Sequence, residues 1–377
     1  MTKISEVFDL QMGKTPSRKN LDYWIDGNTD WVSISDLGTY EKYVGKTKEK
    51  ITQQAIDESG IKAVPKNTVL MSFKLSIGIS AITREEKTYT NEAVMAFIDK
   101  GEKSLFPDYF YHQFRTKDWL ENTSKAVMGS TLNKSKLSNC IIKVPDLDEQ
   151  KHVANVLDTV CRLILIKKDL CKKLDDLVKS RFMEMFGDPV ADVIWPCKRL
   201  DEICTIVTGN TPSRKDPSNY GDCVEWCKTD NITDAKYLTA ASEMLSEKGA
   251  SKGRVVPAGS ILMACIAGSV KSIGKVAVAD RSVAFNQQIN ALVLSEKIDV
   301  EYLLWALRLS KDYLCSGVNM QLKGILNKTS LSAKRFCVPP LSLQQEFANF
   351  VAQVDKLKFD LGICLFILRE ETFRLSG

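Results

Sequence analysis

The chain has 377 residues, of which 44% are hydrophobic and 26% are charged, and its 52 basic and 47 acidic side chains give a net charge of +5. This composition is that of an ordinary globular protein of two or three domains, and it excludes a disordered chain. The mild positive charge permits nucleic-acid binding without requiring it. The polar N-terminus and the short apolar run at 361–368 predict neither a signal peptide nor a membrane span.

The eleven cysteines are scattered, which predicts reduced thiols and a cytoplasmic protein. Cys223 and Cys227 are the closest pair, and no histidine or second pair lies near them, so a zinc site is not predicted. The chain has only two histidines, His112 and His152, which leaves little for histidine-based catalysis.

In chain order, the first half begins with the polar loop Gly-Lys-Thr-Pro-Ser-Arg-Lys at 13–19. Short apolar runs rich in Val, Ile, Leu and Met then predict strands at 68–73, 78–83 and 94–99. A helical stretch follows at 107–120, and a second polar loop lies at 129–134. These patterns predict a mixed α/β domain.

A long amphipathic helix is predicted over 148–186, between Pro145 and Gly187. At ~1.5 Å per residue it would be about 58 Å long. Its apolar side chains recur at steps of three and four, interrupted by Lys167, which is typical of a helix that packs lengthwise on another helix. The predicted seam is Val153, Val156, Val160, Leu163, Leu170, Leu174 and Leu177.

The second half repeats this order at an offset of about 195 residues, which indicates a tandem duplication. The loop recurs at 209–215, the strands at 260–266, 275–279 and 291–295, the helical stretch at 300–314 and the polar loop at 324–328. A second long helix has its apolar positions in the same register, at Phe347, Phe350, Val354, Leu357, Cys364 and Leu368.

The predicted fold class is α+β, with two α/β domains that are each followed by a long helix, and the two helices paired as an antiparallel coiled coil. The predicted boundaries are 1–147 and 187–342 for the domains, with a linker at 187–195, and 148–186 and 343–377 for the helices. The copies differ most in surface loops, such as 72–77 against 264–273. A duplicated platform that binds two different targets would diverge in this way.

The repeated polar loops carry the side chains that suit phosphate oxygens and base edges. A solvated surface loop is the simpler interpretation of any one lysine, but recurrence of the whole cluster favours binding. Trp31 and Trp226 are predicted to be core anchors. The predicted DNA-binding residues are Lys14, Thr15, Ser17, Arg18, Lys19, Lys74, Asn133, Lys134, Thr211, Ser213, Arg214, Lys215, Lys271, Lys275, Asn327 and Lys328.

Motifs that suggest an enzyme are incomplete. Gly13-Lys14-Thr15 lacks the leading glycine of a phosphate-binding loop. Asp146 with Glu149 and Lys151 imitates a nuclease cluster, but acidic residues at a helix N-terminus are the simpler interpretation. Val338-Pro339-Pro340-Leu341 lacks the polar and aromatic residues of an amino-methyltransferase motif. No catalytic constellation, metal site or cofactor site is predicted.

Two α/β units, each leading into a long helix through Val-Pro-x-Leu-x-x-Gln at 144–150 and 338–344, make the chain resemble the specificity subunit of type I restriction–modification systems. The second lead-in has Leu343 where the family usually has an acidic residue. The other matching motifs are Gly-Lys-Thr-Pro at 13–16, Gly-Asn-Thr-Pro at 209–212, Ile261 to Met263, Gly-Lys-Val-Ala at 274–277 and Asn286-Gln287.

This resemblance implies two target-recognition domains, each reading one half of a bipartite target in double-stranded DNA. It implies that the helices form a spacer on which methyltransferase subunits dock, and that those subunits bind S-adenosylmethionine and methylate adenine. A motor-nuclease subunit would join for restriction, and this chain would be non-catalytic. Two alternatives stay open from the residues alone: a duplicated coiled-coil scaffold for protein or glycan, and a fused methyltransferase or nuclease.

Overall fold

The computed structural model describes residues 1–74, 76–119, 132–191, 194–269, 271–318 and 324–376, with side chains up to residue 362. The chain forms two compact units, residues 1–168 with 362–377, and residues 169–361. The division falls inside the first long helix. The predicted linker at 187–195 therefore lies within the second unit.

The first unit is built on a four-stranded antiparallel sheet in the order β2-β8-β5-β6. The predicted strands at 68–73, 78–83 and 94–99 are confirmed as β5, β6 and β8, and Phe8–Met12 is an additional strand. The sheet is covered on both faces, which explains its continuous apolar runs. The strands are β1 Thr2–Lys3, β2 Phe8–Met12, β3 Thr29–Val32, β4 Lys50–Ile51, β5 Val69–Ser72, β6 Ser80–Ile82, β7 Tyr89–Thr90, β8 Val94–Asp99 and β9 Ile141–Ile142.

The remaining strands of the first unit form a three-stranded sheet, β4-β3-β7, in which β3 and β7 are parallel, and a β1–β9 pair. The predicted polar loop at 129–134 begins outside the described residues. The helices are α1 Ile4–Val7, α2 Ile34–Leu37, α3 Gln53–Ser59, α4 Pro107–Thr116, α5 Lys134–Asn139 and α6 Leu147–Phe186, and a short 3-10 helix spans Leu21–Tyr23.

The second unit has the same layout, with the sheet β11-β19-β15-β17 in the place of β2-β8-β5-β6. Its strands are β10 Cys197–Arg199, β11 Cys204–Thr208, β12 Tyr220–Cys227, β13 Met244–Leu245, β14 Val255–Val256, β15 Ile261–Ala264, β16 Ile266–Ala267, β17 Val276–Val278, β18 Val283–Phe285, β19 Ile289–Leu294, β20 Gly324–Ile325 and β21 Arg335–Cys337. The predicted strands of this half are thus confirmed.

The second unit also repeats the parallel pair, here β12 and β18, in the sheet β13-β12-β18-β14. The single helix predicted over 300–314 is divided at Ser310 into α9 and α10. The helices are α7 Leu200–Ile203, α8 Glu247–Lys252, α9 Val300–Leu309, α10 Lys311–Cys315, α11 Lys328–Ser332 and α12 Leu341–Ser376, with 3-10 helices at Pro217–Asn219 and Thr229–Asn231.

A buried glutamine fixes the start of each long helix. In α6 the amide of Gln150 accepts from Phe106 N (2.8 Å) and donates to Ser104 O (3.0 Å) and to Pro145 O (2.8 Å). In α12 the amide of Gln344 accepts from Asp299 N (2.8 Å) and donates to the carbonyls of residues 297 and 339. The glutamine of the repeated lead-in therefore ties each helix to the segment before α4 or α9.

In the second unit the end of α6 packs antiparallel on α12. Phe182 contacts Phe347 with ring centroids 5.4 Å apart, and Asp175, which lies earlier in α6, pairs with Lys358, which lies later in α12, at 2.5 Å. The antiparallel pairing predicted from sequence is confirmed for this part of the two helices.

The predicted seam of α6 was partly wrong, because Leu163, Leu170 and Leu177 are 39%, 42% and 49% exposed. The buried stripe lies beside the predicted one on the helix surface. Leu357 of α12 is exposed as well, and the side chains of Cys364 and Leu368 lie outside the described residues. The buried positions are Ala154, Leu157, Val160, Val178, Phe182 and Phe186 in α6, and Phe347, Val351 and Val354 in α12.

Over the described ranges, no helix combines the length and the apolar character that crossing a membrane requires.

Candidate nucleic-acid interface

The loop at 13–19 crosses the end of strands β7 and β8 at very close range. A Cβ atom on Gly13 would lie 2.2 Å from Thr90 Oγ1 and 2.3 Å from Asn91 O. Lys14 N donates to Thr90 O at 2.9 Å, and the indole of Trp31 donates to Lys14 O at 3.1 Å. Only glycine fits this crossing, and the buried tryptophan holds the next residue in place.

The loop at 209–215 is held by the same contacts in the second unit. A Cβ atom on Gly209 would lie 2.2 Å from Asn286 O. Asn210 N donates to Phe285 O at 3.0 Å, and the indole of Trp226 donates to Asn210 O at 3.1 Å. Trp31 and Trp226 are 2% and 3% exposed, which confirms their prediction as core anchors.

The arginine of the first loop makes intramolecular contacts. The guanidinium of Arg18 lies 3.7 Å from the ring centroid of Trp24 and 5.2 Å from that of Trp31. It also donates to Glu49 Oε2 at 2.8 Å. This bond raises the pKa of Arg18 and lowers that of Glu49. A stacked and paired guanidinium has much of its hydrogen-bonding capacity occupied before any ligand arrives.

Arg214 repeats this arrangement with different partners. Its guanidinium lies 5.4 Å from the ring centroid of Trp226 and donates to Glu243 Oε2 at 2.7 Å. The second acceptor oxygen of Glu243 is bonded to Lys228, and these two cations lower the pKa of the carboxyl group. Both arginines therefore stabilise the loop in which they lie.

The loop threonine of each unit donates a hydrogen bond to a residue whose type differs between the units. Thr15 donates to Glu92, and this bond lowers the pKa of the carboxyl group, with Lys74 and Arg18 contributing in the same direction. Thr211 donates to Gln287. The structure thus brings Thr15, Arg18 and Lys74 together around one acidic group, whereas the corresponding group of the second unit is a neutral amide.

The repeated Asn-Lys pairs begin two short helices. Asn133 caps α5 by accepting from Lys136 N at 2.8 Å, and Asn327 caps α11 by accepting from Ser330 N at 2.8 Å. Helix capping explains the recurrence of asparagine at these two positions without a ligand. Lys134 and Lys328, which follow the caps, are exposed.

Lys271 lies in the segment 264–273, which is longer than its counterpart in the first unit, and Lys275 follows that segment. Lys271 is exposed, and Lys275 pairs with Asp234 at 2.8 Å beside a cavity of about 420 Å³. The polar residues that line this cavity are Thr229, Asp230, Thr233, Asp234, Ser272, Lys275 and Gln288. Gln288 of this lining follows Gln287, the residue that Thr211 contacts, in the sequence.

All of the predicted residues of the two loops are exposed except Thr15, which is half-buried. Sequence reasoning missed the cavity residues other than Lys275, and it missed the pair Lys42 and Lys236. A repeated Lys-Tyr dipeptide at the 194-residue offset was a signal for that pair. Among the residues that the structure describes, no group of three His, Cys, Asp or Glu side chains could hold a metal ion.

The model of the type I restriction modification DNA specificity domain matches this chain twice, at residues 1–175 and 193–362. The chain belongs to this family. Each match contains one anchored loop, one four-stranded antiparallel sheet and the start of one long helix. We therefore call residues 1–175 the first specificity domain and residues 193–362 the second.

Two curated relatives are specificity subunits of type I restriction enzymes. The MjaIX subunit of Methanocaldococcus jannaschii is 30% identical over 234 residues, which cover 56% of this chain and 53% of the relative. The EcoR124I/EcoR124II subunit of Escherichia coli is 29% identical over 163 residues, which cover 41% and 39%. The chain thus spans about half the length, or less, of the curated relatives that it matches.

Two solved structures share the fold over the whole chain. A chain of a type I R-M system aligns with a TM-score of 0.67 at 17% identity, covering 100% of this chain and 95% of that one. The type I restriction–modification S subunit from M. genitalium aligns with a TM-score of 0.51 at 14% identity, covering 100% and 94%. The tandem fold of two α/β domains, each followed by a long helix, agrees with both.

Proposed function

We propose that this chain is the DNA specificity subunit of a type I restriction–modification complex, in which each specificity domain reads one half of a bipartite target. The observation that carries the proposal is the duplication of a DNA specificity domain within one chain. Each copy has the same glycine crossing and the same glutamine at the start of its long helix. The anchors are shared, whereas the surrounding side chains differ, as two half-sites of different sequence require.

Within each domain, the exposed lysines of the anchored loop would neutralise phosphates, and Lys14, Lys19 and Lys215 suit this role because all three residues are exposed. The base contacts would come from side chains that differ between the domains. The longer segment 264–273 and the residues that line the cavity beside it belong to that class.

The partners in this proposal are methyltransferase subunits that dock on the long helices. They would bind S-adenosylmethionine and methylate adenine, and a motor-nuclease subunit would join them for restriction in the cytoplasm. The chain itself would contribute no catalytic residue. Apolar side chains on α6 support a docking role, because Leu163, Leu165 and Ile166 are 39%, 46% and 51% exposed.

The test is the adenine methylation of genomic DNA from cells with the gene, without it, and with it restored on a plasmid. We expect one bipartite motif to vanish on deletion and to return on restoration. Unchanged methylation, together with no binding of the purified chain and its partners to duplexes of any sequence, would contradict the proposal.

A second test concerns the helices. Insertion of seven residues, about two helical turns, between Leu163 and Leu177 should lengthen the unread gap and leave both half-sites unchanged. A changed half-site sequence in the methylated motif would count against a spacer role for the helices.

A further inference from the structure

Each specificity domain contains a mostly buried lysine that bonds two carboxylates from two other elements. In the first domain, Lys42 pairs with Asp108 at the start of α4 and with Asp158 of α6, the latter at 2.5 Å. His112 of α4 also contacts Asp158, at 2.7 Å. The Lys42 side chain is only 16% exposed.

The second domain has the same arrangement. Lys236 pairs with Glu301 at the start of α9 and with Asp355 of α12, the latter at 3.0 Å. Its side chain is 24% exposed. In both domains, the long helix is thus bonded to a lysine of the α/β part and, through that lysine, to the first turn of a second helix.

The segments that carry the lysines are themselves fixed in the same way. Tyr111 of α4 donates to Glu41 O, and Arg308 of α9 donates to Ala235 O at 2.7 Å, so each bond holds the residue just before the lysine. On the other side, the residue two positions after the lysine donates to the sheet, Val44 N to Ile82 O at 2.9 Å and Leu238 N to Val278 O at 3.1 Å. The ammonium group is therefore presented from a rigid loop.

Such a triad contributes orientation more than stability. Removing charges from water costs about as much as the ion pairs return, so buried pairs are weak evidence for stability. Their hydrogen bonds, in contrast, are directional, whereas apolar contacts along a helix are not. The triads are therefore suited to select one rotation and one height of the long helix on its domain.

The two triads reach their helices at different heights. Asp158 lies eight residues after Gln150, whereas Asp355 lies eleven residues after Gln344. Three residues are about one turn, or ~4.5 Å along the helix. Each domain therefore has its own attachment point, although the lysine, the glutamine and the loop anchors are shared.

We propose that Lys42 and Lys236 are positioning residues that fix each specificity domain on its own long helix and thereby set how strictly the complex measures the gap between the half-sites. This inference rests on the proposed function, since a gap exists only if both domains read DNA at once. A domain that rotates on its helix would accept half-sites that are displaced along the duplex.

The experiment uses the full chain assembled with its methyltransferase subunits. Duplexes carry both half-sites with the native gap, or with a gap one base pair longer or shorter, and the ratio of their affinities is measured for each variant. The variants are Lys236→Met and the neutral triad Lys236→Met with Glu301→Gln and Asp355→Asn, which leaves no unpaired buried carboxylate. The control is Lys248→Met, which removes an exposed pair with Asp216 in the same domain.

We expect the preference for the native gap to fall by about tenfold in both triad variants, less than the full effect of breaking a buried ion pair. The half-site sequences should stay unchanged, and the control should keep the wild-type ratio. Lys42→Met should act in the same way through the first domain. An unchanged ratio, even with weaker binding to all duplexes, would overturn the inference, because a merely structural role lowers every affinity equally.

Failure of the proposed function would look different. In that case the wild-type complex would not prefer a duplex with two half-sites over one with a single half-site. Wild-type binding with a strict gap, together with variants that measure the gap equally strictly, would overturn only the role of the lysines.

Discussion

In the first specificity domain the loop threonine donates to a carboxylate, Glu92, whereas in the second it donates to an amide, Gln287. The backbone around both contacts is the same, with a glycine crossing, a tryptophan indole bonded to the next carbonyl and an arginine paired with a distant glutamate. The comparison separates two kinds of residue. Those that hold the loops are repeated, whereas the group that the loop threonine contacts changes.

The repeated residues also include those that join each domain to its helix. Gln150 and Gln344 make equivalent bonds, and both side chains are fully buried. The triads of Lys42 and Lys236 are equivalent in design but differ by a turn in their point of attachment. Duplication has thus preserved how a domain is attached, while its height on the helix and the group that contacts the loop threonine have diverged.

The largest effect on stability is expected at the buried glutamines, whose hydrogen bonds are equivalent in the two domains. Gln344→Ala removes bonds to three backbone groups and leaves a cavity, so the free energy of unfolding should fall by about 3–5 kcal/mol. Gln150→Ala should have an equal effect, which denaturant unfolding of the purified chain would measure. The neighbouring exposed Gln345→Ala is the control, with a change within about 0.5 kcal/mol. Equal stability of the Gln344 and Gln345 variants would show that the hydrogen bonds of Gln344 do not stabilise the fold.

The next effect concerns the crossing glycines. An added methyl group at Gly13 or Gly209 would lie about 2.2 Å from an oxygen atom of the neighbouring segment, and overpacking of this kind costs about 1–3 kcal/mol. Gly13→Ala and Gly209→Ala should each lower the thermal unfolding midpoint. Gly268→Ala, where the methyl group would meet nothing within 4 Å, serves as the control. Two variants as stable as this control would mean that the loops move apart without strain.

Much of this organisation was predictable from sequence because it is periodic or repeated. The 194-residue offset gave the duplication, the apolar runs gave strands β5, β6, β8 and their counterparts, and Pro145 with Gly187 gave the limits of α6. The predicted seam of α6 was partly wrong because it included leucines that are exposed in the structure. When apolar residues cover more than one face of a helix, the sequence alone does not show which face is buried, because that depends on the neighbouring elements.

The roles of individual loop residues were harder to predict from the sequence. Arg18 was predicted to contact DNA, but its partners Glu49 and Trp24 could be identified only after folding brought them together. Asn133 and Asn327 recur for the same reason that asparagine recurs at many helix starts. DNA contact by these residues stays a prediction. A residue that recurs in both copies can be repeated because it stabilises the fold as well as because it binds a ligand.

Arg18 and Lys19 provide a test that sharpens this distinction. Lys19→Ala should weaken binding to specific and non-specific duplexes alike and reduce the slope of log affinity against log salt by about 1, with unchanged stability. Arg18→Ala should lower stability by about 1 kcal/mol through loss of its stacking and its half-exposed ion pair. Binding titrations across a salt series and denaturant unfolding would separate the two effects. A slope that changes by about 1 with Arg18→Ala and not with Lys19→Ala would reverse the assignment.

The smallest expected difference between the domains is in their response to pH. His112 packs on Asp158 in the first domain, whereas Trp305 occupies the corresponding position of α9 in the second. Burial lowers the pKa of His112 below the ordinary 6.5, and the nearby Lys42 adds to this, while Asp158 and Asp108 oppose it without cancelling it. The folded domain therefore holds the imidazole neutral, although a carboxylate lies beside it.

Because the pKa of His112 is lower in the folded chain, the unfolded chain binds more protons as the pH falls below 6.5. The contribution of this group is thus fully present above about pH 6.5 and is lost as the pH falls through the folded pKa. Denaturant unfolding at pH 7.5, 6.5 and 5.5 should show a shallower acid loss for His112→Gln than for the wild type, and His152→Gln is the matched control. A wild-type pH dependence in His112→Gln would mean that the ion triad alone sets the acid response of the first domain.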